Sequence, residues 1–194
     1  MQADIERILL DRDTLARRVH DMARQITADL VGPAGHENFR EELTLIPILT
    51  GSIIFVADLI RHLPLRMRIR LISVTSYPGS ATTSQGAALE QSLCSIPSDL
   101  TGAHVLVLDD ILDSGQTLRL VCDQLRNRHP ASLRTCVLLR KDRPQARAFP
   151  VDYVGFDIPD DFVVGYGLDF DGYYRNLPDI VTLRPHLLGQ AHKG

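Results

Sequence analysis

Apolar side chains recur along this chain at two spacings. Leu15, Val19, Met22, Ile26 and Leu30 return every three or four residues, which predicts an amphipathic helix over residues 13–30. LTLIPIL (43–49) is a short apolar run ending at Thr50-Gly51, and SIIFVADLIRHL (52–63) follows as a helix. Residues 66–77 alternate instead: Met67, Ile69 and Leu71 point one way, and Arg66, Arg68 and Arg70 the other. A period of two belongs to a strand, and its arginine face is expected to be solvated or to meet another subunit. HVLVLD (104–109) is a continuous apolar run, as in a parallel strand buried on both faces. Residues 117–129 read as a helix, and 133–139 and 151–158 as strands. Strands alternating with helices imply right-handed βαβ units, hence an α/β, Rossmann-like fold with a mostly parallel sheet flanked by helices. Residues before about 40 and after about 165 lie outside that alternation. They are expected to pack together as a small cap over one edge of a single domain spanning 1–194.

Composition narrows the classes of function. The chain has 194 residues, 44% of them hydrophobic and 23% charged, the balance of a globular domain able to bury a core. A net charge of −3 argues against broad nucleic-acid binding. Cys94, Cys122 and Cys136 are odd in number and widely spaced, so neither a disulfide framework nor a zinc site is expected. Reduced thiols point to the cytoplasm, with Cys122 and Cys136 packed in the interior. The amino terminus is mixed and acidic, unlike a signal peptide. No apolar run reaches the roughly 18 residues of a membrane span.

The chemistry concentrates in VLVLDDILDSGQTL, residues 105–118. In an open parallel sheet, ligands bind beyond the carboxyl ends of the strands, which is where Asp109 and Asp110 are expected. DSGQT then enters a helix. Small residues there let successive N–H groups point inward, and the helix start favours an anion. A phosphate is therefore predicted at residues 113–117. The lysine of a P-loop is missing. Two adjacent acids suit two ribose hydroxyls, or Mg²⁺ through water, and Asp113 can face a reacting carbon or a base. The plainer alternative is that Asp109, Asp110 and Ser114 only cap the loop and the helix.

The full string of two acids, two aliphatics, Asp, Ser, Gly, any residue and Thr resembles the phosphoribosyl-diphosphate (PRPP) signature of type I phosphoribosyltransferases. LTGSIIFVADLIRHL, SVTSY, VLLRKDRP and VDYVGFDIPDDFVVGYGLDFDGYYRNLP extend the resemblance over roughly residues 43–183, towards the bacterial hypoxanthine-guanine enzymes. The resemblance implies transfer of 5-phosphoribosyl from PRPP to N9 of a 6-oxopurine, a five-stranded parallel core sheet, and a hood from both termini. It implies Asp113 as acceptor of the purine N7 proton, Asp109 and Asp110 on the ribose hydroxyls and Mg²⁺, and Ser114, Gly115, Gln116 and Thr117 around the 5′-phosphate. Leu49, Thr50 and Gly51 would meet pyrophosphate, with a Leu49–Thr50 peptide able to become cis, and Arg175 would join them. Lys141 would reach the purine O6, Phe162 stack on the ring, Val163 offer its backbone, and Asp169 ligate a second Mg²⁺. Ser76 and Tyr77 would head a mobile lid over 76–88. Partners would be PRPP, a purine and a second copy, as homodimer or homotetramer, with neither nucleic acid nor membrane.

Two departures stand out. Asp109 occupies a position where this family usually has Glu, and Thr50 one where many members carry a basic residue. The alternatives are an RNA-binding pyrimidine-operon regulator on the same fold, which generally has an aromatic residue at the place of Asp113, and a xanthine-preferring phosphoribosyltransferase.

Overall fold

The computed structural model describes residues 1–31, 42–73 and 96–188. Ser76, Tyr77 and the expected lid lie outside the described residues, as does Cys94.

A short strand, β1 (Ile5–Leu10), leads into helix α1 (Arg12–Val31). Asp11 caps the start of α1, its Oδ1 accepting the Thr14 N–H at 2.8 Å. β2 (Glu42–Leu49) enters the main sheet and α2 (Ile53–Ile60) leaves it. β3 (Met67–Ile69) and β4 (Ile72–Ser73) follow, then β5 (Ala103–Leu112), α3 (Gln116–Arg126) and β6 (Ser132–Lys141). The chain continues through α4 (Pro144–Ala148), β7 (Tyr153–Ile158), β8 (Val163–Val164), β9 (Ile180–Leu183) and α5 (Pro185–Leu188).

The main sheet runs β3-β2-β5-β6-β7, every pair parallel, with β4 continuing the β3 edge of β2. Side-chain alternation supplies both cores. Leu43, Leu45, Leu106 and Leu108 face Leu15, Val19, Met22 and Ile26 of α1 and Phe55 and Leu59 of α2. Ile46, Ile48, Val105 and Val107 face Leu118, Val121, Cys122 and Leu125 of α3. Cys122 and Cys136 are buried free thiols, as expected. A second sheet, antiparallel in the order β1-β9-β8, joins the two ends of the chain. No helix among the described residues is long and apolar enough to cross a membrane.

Three expectations are corrected. The strand expected over 66–77 breaks between Ile69 and Ile72; Ile72 is buried, whereas Leu71 is 54% exposed. Met67–Ile69 pairs with Leu43–Leu45 of β2 and Ile72–Ser73 with Ile48–Leu49, so the ladder is interrupted without a change of register. The segment before residue 40 does not all lie outside the core, because α1 packs on the main sheet and Arg18 donates to the carbonyls of Val154 and Gly155 in β7. Finally, β5 does not stop at Asp109. It runs on to Leu112 because β6 continues beside it, with Ile111 opposite Leu139 and Leu112 opposite Arg140.

Candidate active site

β5 outlasts its other neighbour. Its pairing with β2 ends at Pro47 opposite Leu108, so Asp109 and Asp110 fall just where β2 turns away. The turn is tight. The Leu49–Thr50 peptide is cis, and buried Ser52 donates from Oγ to the Ile48 carbonyl at 2.5 Å. An ideal Cβ placed on Gly51 would lie 1.6 Å from Asp110 Oδ2, so only glycine admits that carboxylate. Gly51 is also approached from its other side: a Cβ on Gly167 would stand 2.2 Å from the Gly51 carbonyl oxygen. Gly167 has φ +104°, a left-handed conformation suited to glycine.

Beyond Leu112 the chain forms the DSGQT turn. Gly115 takes φ 77° and immediately precedes α3. A side chain there would press on Phe149, whose Cδ2 lies 3.0 Å from the ideal Cβ position. The Gln116 N–H points back to Ser114 Oγ at 3.4 Å.

These segments enclose a cleft of about 860 Å³. Leu49, Thr50, Gly51, Asp109, Asp110, Asp113, Ser114, Gly115, Gln116, Thr117, Lys141, Phe162, Val163, Asp169 and Arg175 all line it. Every residue singled out from the sequence that falls among the described residues is thus in one place. β6 ends at Lys141, whose side chain is buried although charged. Phe162 is 43% exposed and meets Phe170 edge to face, with centroids 5.5 Å apart, so it is not core. Val163 is buried in β8, held opposite Thr182.

Charge is distributed unevenly in the cleft. Burial, and then the neighbouring Asp110 charge, push the Asp109 carboxyl well above the usual carboxylate range. Burial also raises Asp110, partly offset by hydrogen bonds and by Arg175. Among the described residues neither acid has an ion-pair partner within 4.0 Å. No three metal-ligating side chains cluster among the described residues. Asp169 instead accepts the Gly172 N–H at 2.8 Å and pairs with Arg175 at 2.7 Å. Buried Asp109 and half-buried Asp110 nevertheless fit Mg²⁺. They are hard oxygen donors, and Mg²⁺ is commonly held by one or two carboxylates plus substrate oxygens rather than by a protein cage.

Sequence reasoning missed two residues. Arg143 pairs with Asp113, and its Nε lies 2.6 Å from Asp160 Oδ1. Lys141 Nζ lies 3.4 Å from the same Asp160 oxygen and 3.7 Å from Asp113 Oδ2. Hydrogen bonding to Arg143 lowers the Asp160 carboxyl despite some desolvation. Both residues stand inside the strings KDRP and IPDD, but nothing in their spacing reveals that the ends of β6 and β7 bring them together.

Fold and cleft together define an α/β protein with an acidic, glycine-containing turn at the carboxyl end of a parallel sheet. The chain belongs to the phosphoribosyl transferase family: the phosphoribosyl transferase domain matches residues 8–171. Among its relatives, the hypoxanthine-guanine phosphoribosyltransferase of Mycobacterium avium is 43% identical over 96% of this chain and 90% of its own length. That of Streptococcus pneumoniae is 35% identical over 95% of this chain and 96% of its own. Among solved structures, a variant of Trypanosoma cruzi hypoxanthine phosphoribosyltransferase complexed with its product IMP superposes with a TM-score of 0.82. It shares 37% identity and covers 98% of this chain and 96% of that one.

Proposed function

We propose that this protein is a hypoxanthine-guanine phosphoribosyltransferase of purine salvage. It transfers the 5-phosphoribosyl group of PRPP to N9 of a 6-oxopurine and releases pyrophosphate. The observation that carries the reading is the pairing of Asp113 Oδ2 with Lys141 Nζ across 3.7 Å at the mouth of the Asp109–Thr117 turn. An acceptor and a donor at that spacing match the N7 and O6 edge of an oxopurine, with Phe162 left open as a stacking surface.

The turn at residues 113–117 takes the 5′-phosphate on its N–H groups and hydroxyls. Asp109 and Asp110 hold the ribose hydroxyls, and Thr50 and Gly51 present amides to pyrophosphate with Arg175. As the C1′ bond to pyrophosphate lengthens, the ribose gains oxocarbenium character, as in glycoside cleavage. Asp113, as general base, accepts the N7 proton while N9 closes on C1′. The second sheet covers the base as a hood. Asp109 and Asp110, with Asp169 on the pyrophosphate side, would hold Mg²⁺, which would neutralise the charge of the leaving pyrophosphate.

The test is a PRPP-dependent assay with hypoxanthine, guanine, xanthine, adenine and uracil, beside filter binding to RNA at moderate salt. Oxopurine turnover without RNA retention is expected. RNA retention without turnover would favour the regulatory reading. Size-exclusion chromatography of the same preparation reads the expected dimer or tetramer.

A further inference from the structure

At the edge of the cleft lies a closed ring of four charges, of which only Asp113 and Lys141 line the cleft. Arg143 and Asp160 complete it without lining the cleft. The ring is asymmetric. Arg143 donates through Nη1 to Asp113 Oδ1, and its Nε reaches Asp160. Asp113 Oδ2 is the oxygen turned towards Lys141, 3.7 Å away and beyond hydrogen-bonding range.

The local sequence explains why Arg143 can do this. Pro144 opens α4 and steers the residue before it away from helical angles. Arg143 accordingly takes φ −121° and ψ 144°. Its guanidinium is a rigid planar fork, able to grip two carboxylates at once in a way that an ammonium cannot. A free aspartate carboxylate rotates broadly about its last torsion, with its two oxygens interchangeable. Held at one oxygen, it presents the other in a fixed direction.

We infer that Arg143, anchored on Asp160, is a positioning residue that engages one oxygen of Asp113 and presents the other, Oδ2, beside Lys141 as the acceptor for the purine N7 proton. The inference rests on the proposed phosphoribosyl transfer and deepens it. Asp160 links Arg143 to Lys141 through a single oxygen, Oδ1, 2.6 Å from Arg143 Nε and 3.4 Å from Lys141 Nζ.

The test is single-turnover kinetics with PRPP and hypoxanthine on Arg143→Ala, Arg143→Lys and Asp160→Asn, each also in an Asp113→Asn background. Arg143→Ala should slow the chemical step about 10–100-fold, the scale of loss when a reacting group is misplaced by an ångström. KM for PRPP should stay within about twofold, because the phosphate and ribose contacts lie elsewhere. Arg143→Lys should recover part of the rate, and Asp160→Asn should lose less than Arg143→Ala. With Asp113 already changed to Asn, Arg143→Ala should cost less than about twofold more, because a residue acting only through Asp113 has nothing left to act on. A rate within about twofold of wild type for Arg143→Ala, or full additivity with Asp113→Asn, overturns the assignment. Should Arg143→Ala fail to fold, Arg143→Lys and Asp160→Asn carry the same comparison. A folded wild type inert towards hypoxanthine and guanine would instead sink the functional reading itself.

Discussion

Adding one methyl group at Gly51 should disable ribose binding while leaving the fold intact. The backbone at Gly51 has no left-handed φ, so alanine is conformationally acceptable there. What it meets is Asp110, with Oδ2 1.6 Å and Cγ 2.6 Å from the new carbon. Both distances are far inside contact, so the carboxylate must swing away. In doing so it gives up the Ile111 N–H bond to Oδ1, now 2.9 Å, and the place beside the ribose proposed for it. A hydrogen bond to a charged group contributes about 1.5–3 kcal/mol, and about 1.4 kcal/mol is tenfold in affinity. Gly51→Ala should therefore raise KM for PRPP roughly 10–150-fold. Steady-state kinetics with PRPP varied at saturating hypoxanthine read this directly, with thermal melting as the control for folding. A KM within about twofold of wild type in a protein of unchanged melting temperature would show that Asp110 does not hold the ribose.

The remaining expectations are shorter. In chelator-containing buffer at neutral pH, Asp109→Asn should raise the melting temperature while abolishing turnover, since it removes a buried carboxylate that sits beside a second one; each kcal/mol relieved is worth about 2–4 °C in a chain of this size. Burial raises the Asp109 carboxyl above its unfolded value, so its ionised form costs stability above the folded pKa, and the mutant's advantage should shrink as pH falls through that pKa; an unchanged or lower melting temperature at neutral pH counts against this. Lys141→Ala should weaken oxopurine use and narrow the gap to adenine, because a charged lysine can only donate and adenine offers it another donor; unchanged kcat/KM ratios across the bases would remove Lys141 from specificity. Thorough chelation should stop turnover and Mg²⁺ or Mn²⁺ should restore it, so persistent activity would refute metal dependence. Burial pushes the Cys122 thiol up to about 11 and raises Cys136 further; both should resist iodoacetamide at pH 8 in the native protein and react once unfolded, as peptide mass spectrometry would show.

Much of the site was legible because its residues are close in sequence. Asp109, Asp110 and the DSGQT turn sit within nine residues, and an apolar run followed by small and acidic residues is a local signal. Lys141, Phe162, Val163, Asp169 and Arg175 were reached only through resemblance, since no periodicity marks them. Other features were not legible, for identifiable reasons. β1 was missed because IERILL is a partly exposed strand that acquires meaning only beside β9, some 170 residues later. The break between β3 and β4 was hidden because arginines and aliphatics still alternate through Arg70 and Leu71, the two residues between the strands. Arg143 and Asp160 carry no local signal, since their partnership depends on how two strands end side by side. Tyr166, donating to Asp58 at 2.6 Å across 108 residues, is a further contact of that kind.

The backbone contact between Gly167 and Gly51 sets a limit on how such an enzyme can be rebuilt. It fastens the base-side segment to the loop beside Asp110 with no side chain between them to absorb a change. A recombinant chimera that exchanges residues 159–183 for those of a relative with another base preference therefore has its seam at this glycine pair, not at the visible boundary between the two sheets. The donor segment must bring a glycine at 167, and the recipient must keep one at 51, before any change at Phe162 or Val163 can express itself. Libraries aimed at new bases will lose fewer clones if both positions are locked from the start and diversity is confined to side chains facing the open end of the cleft.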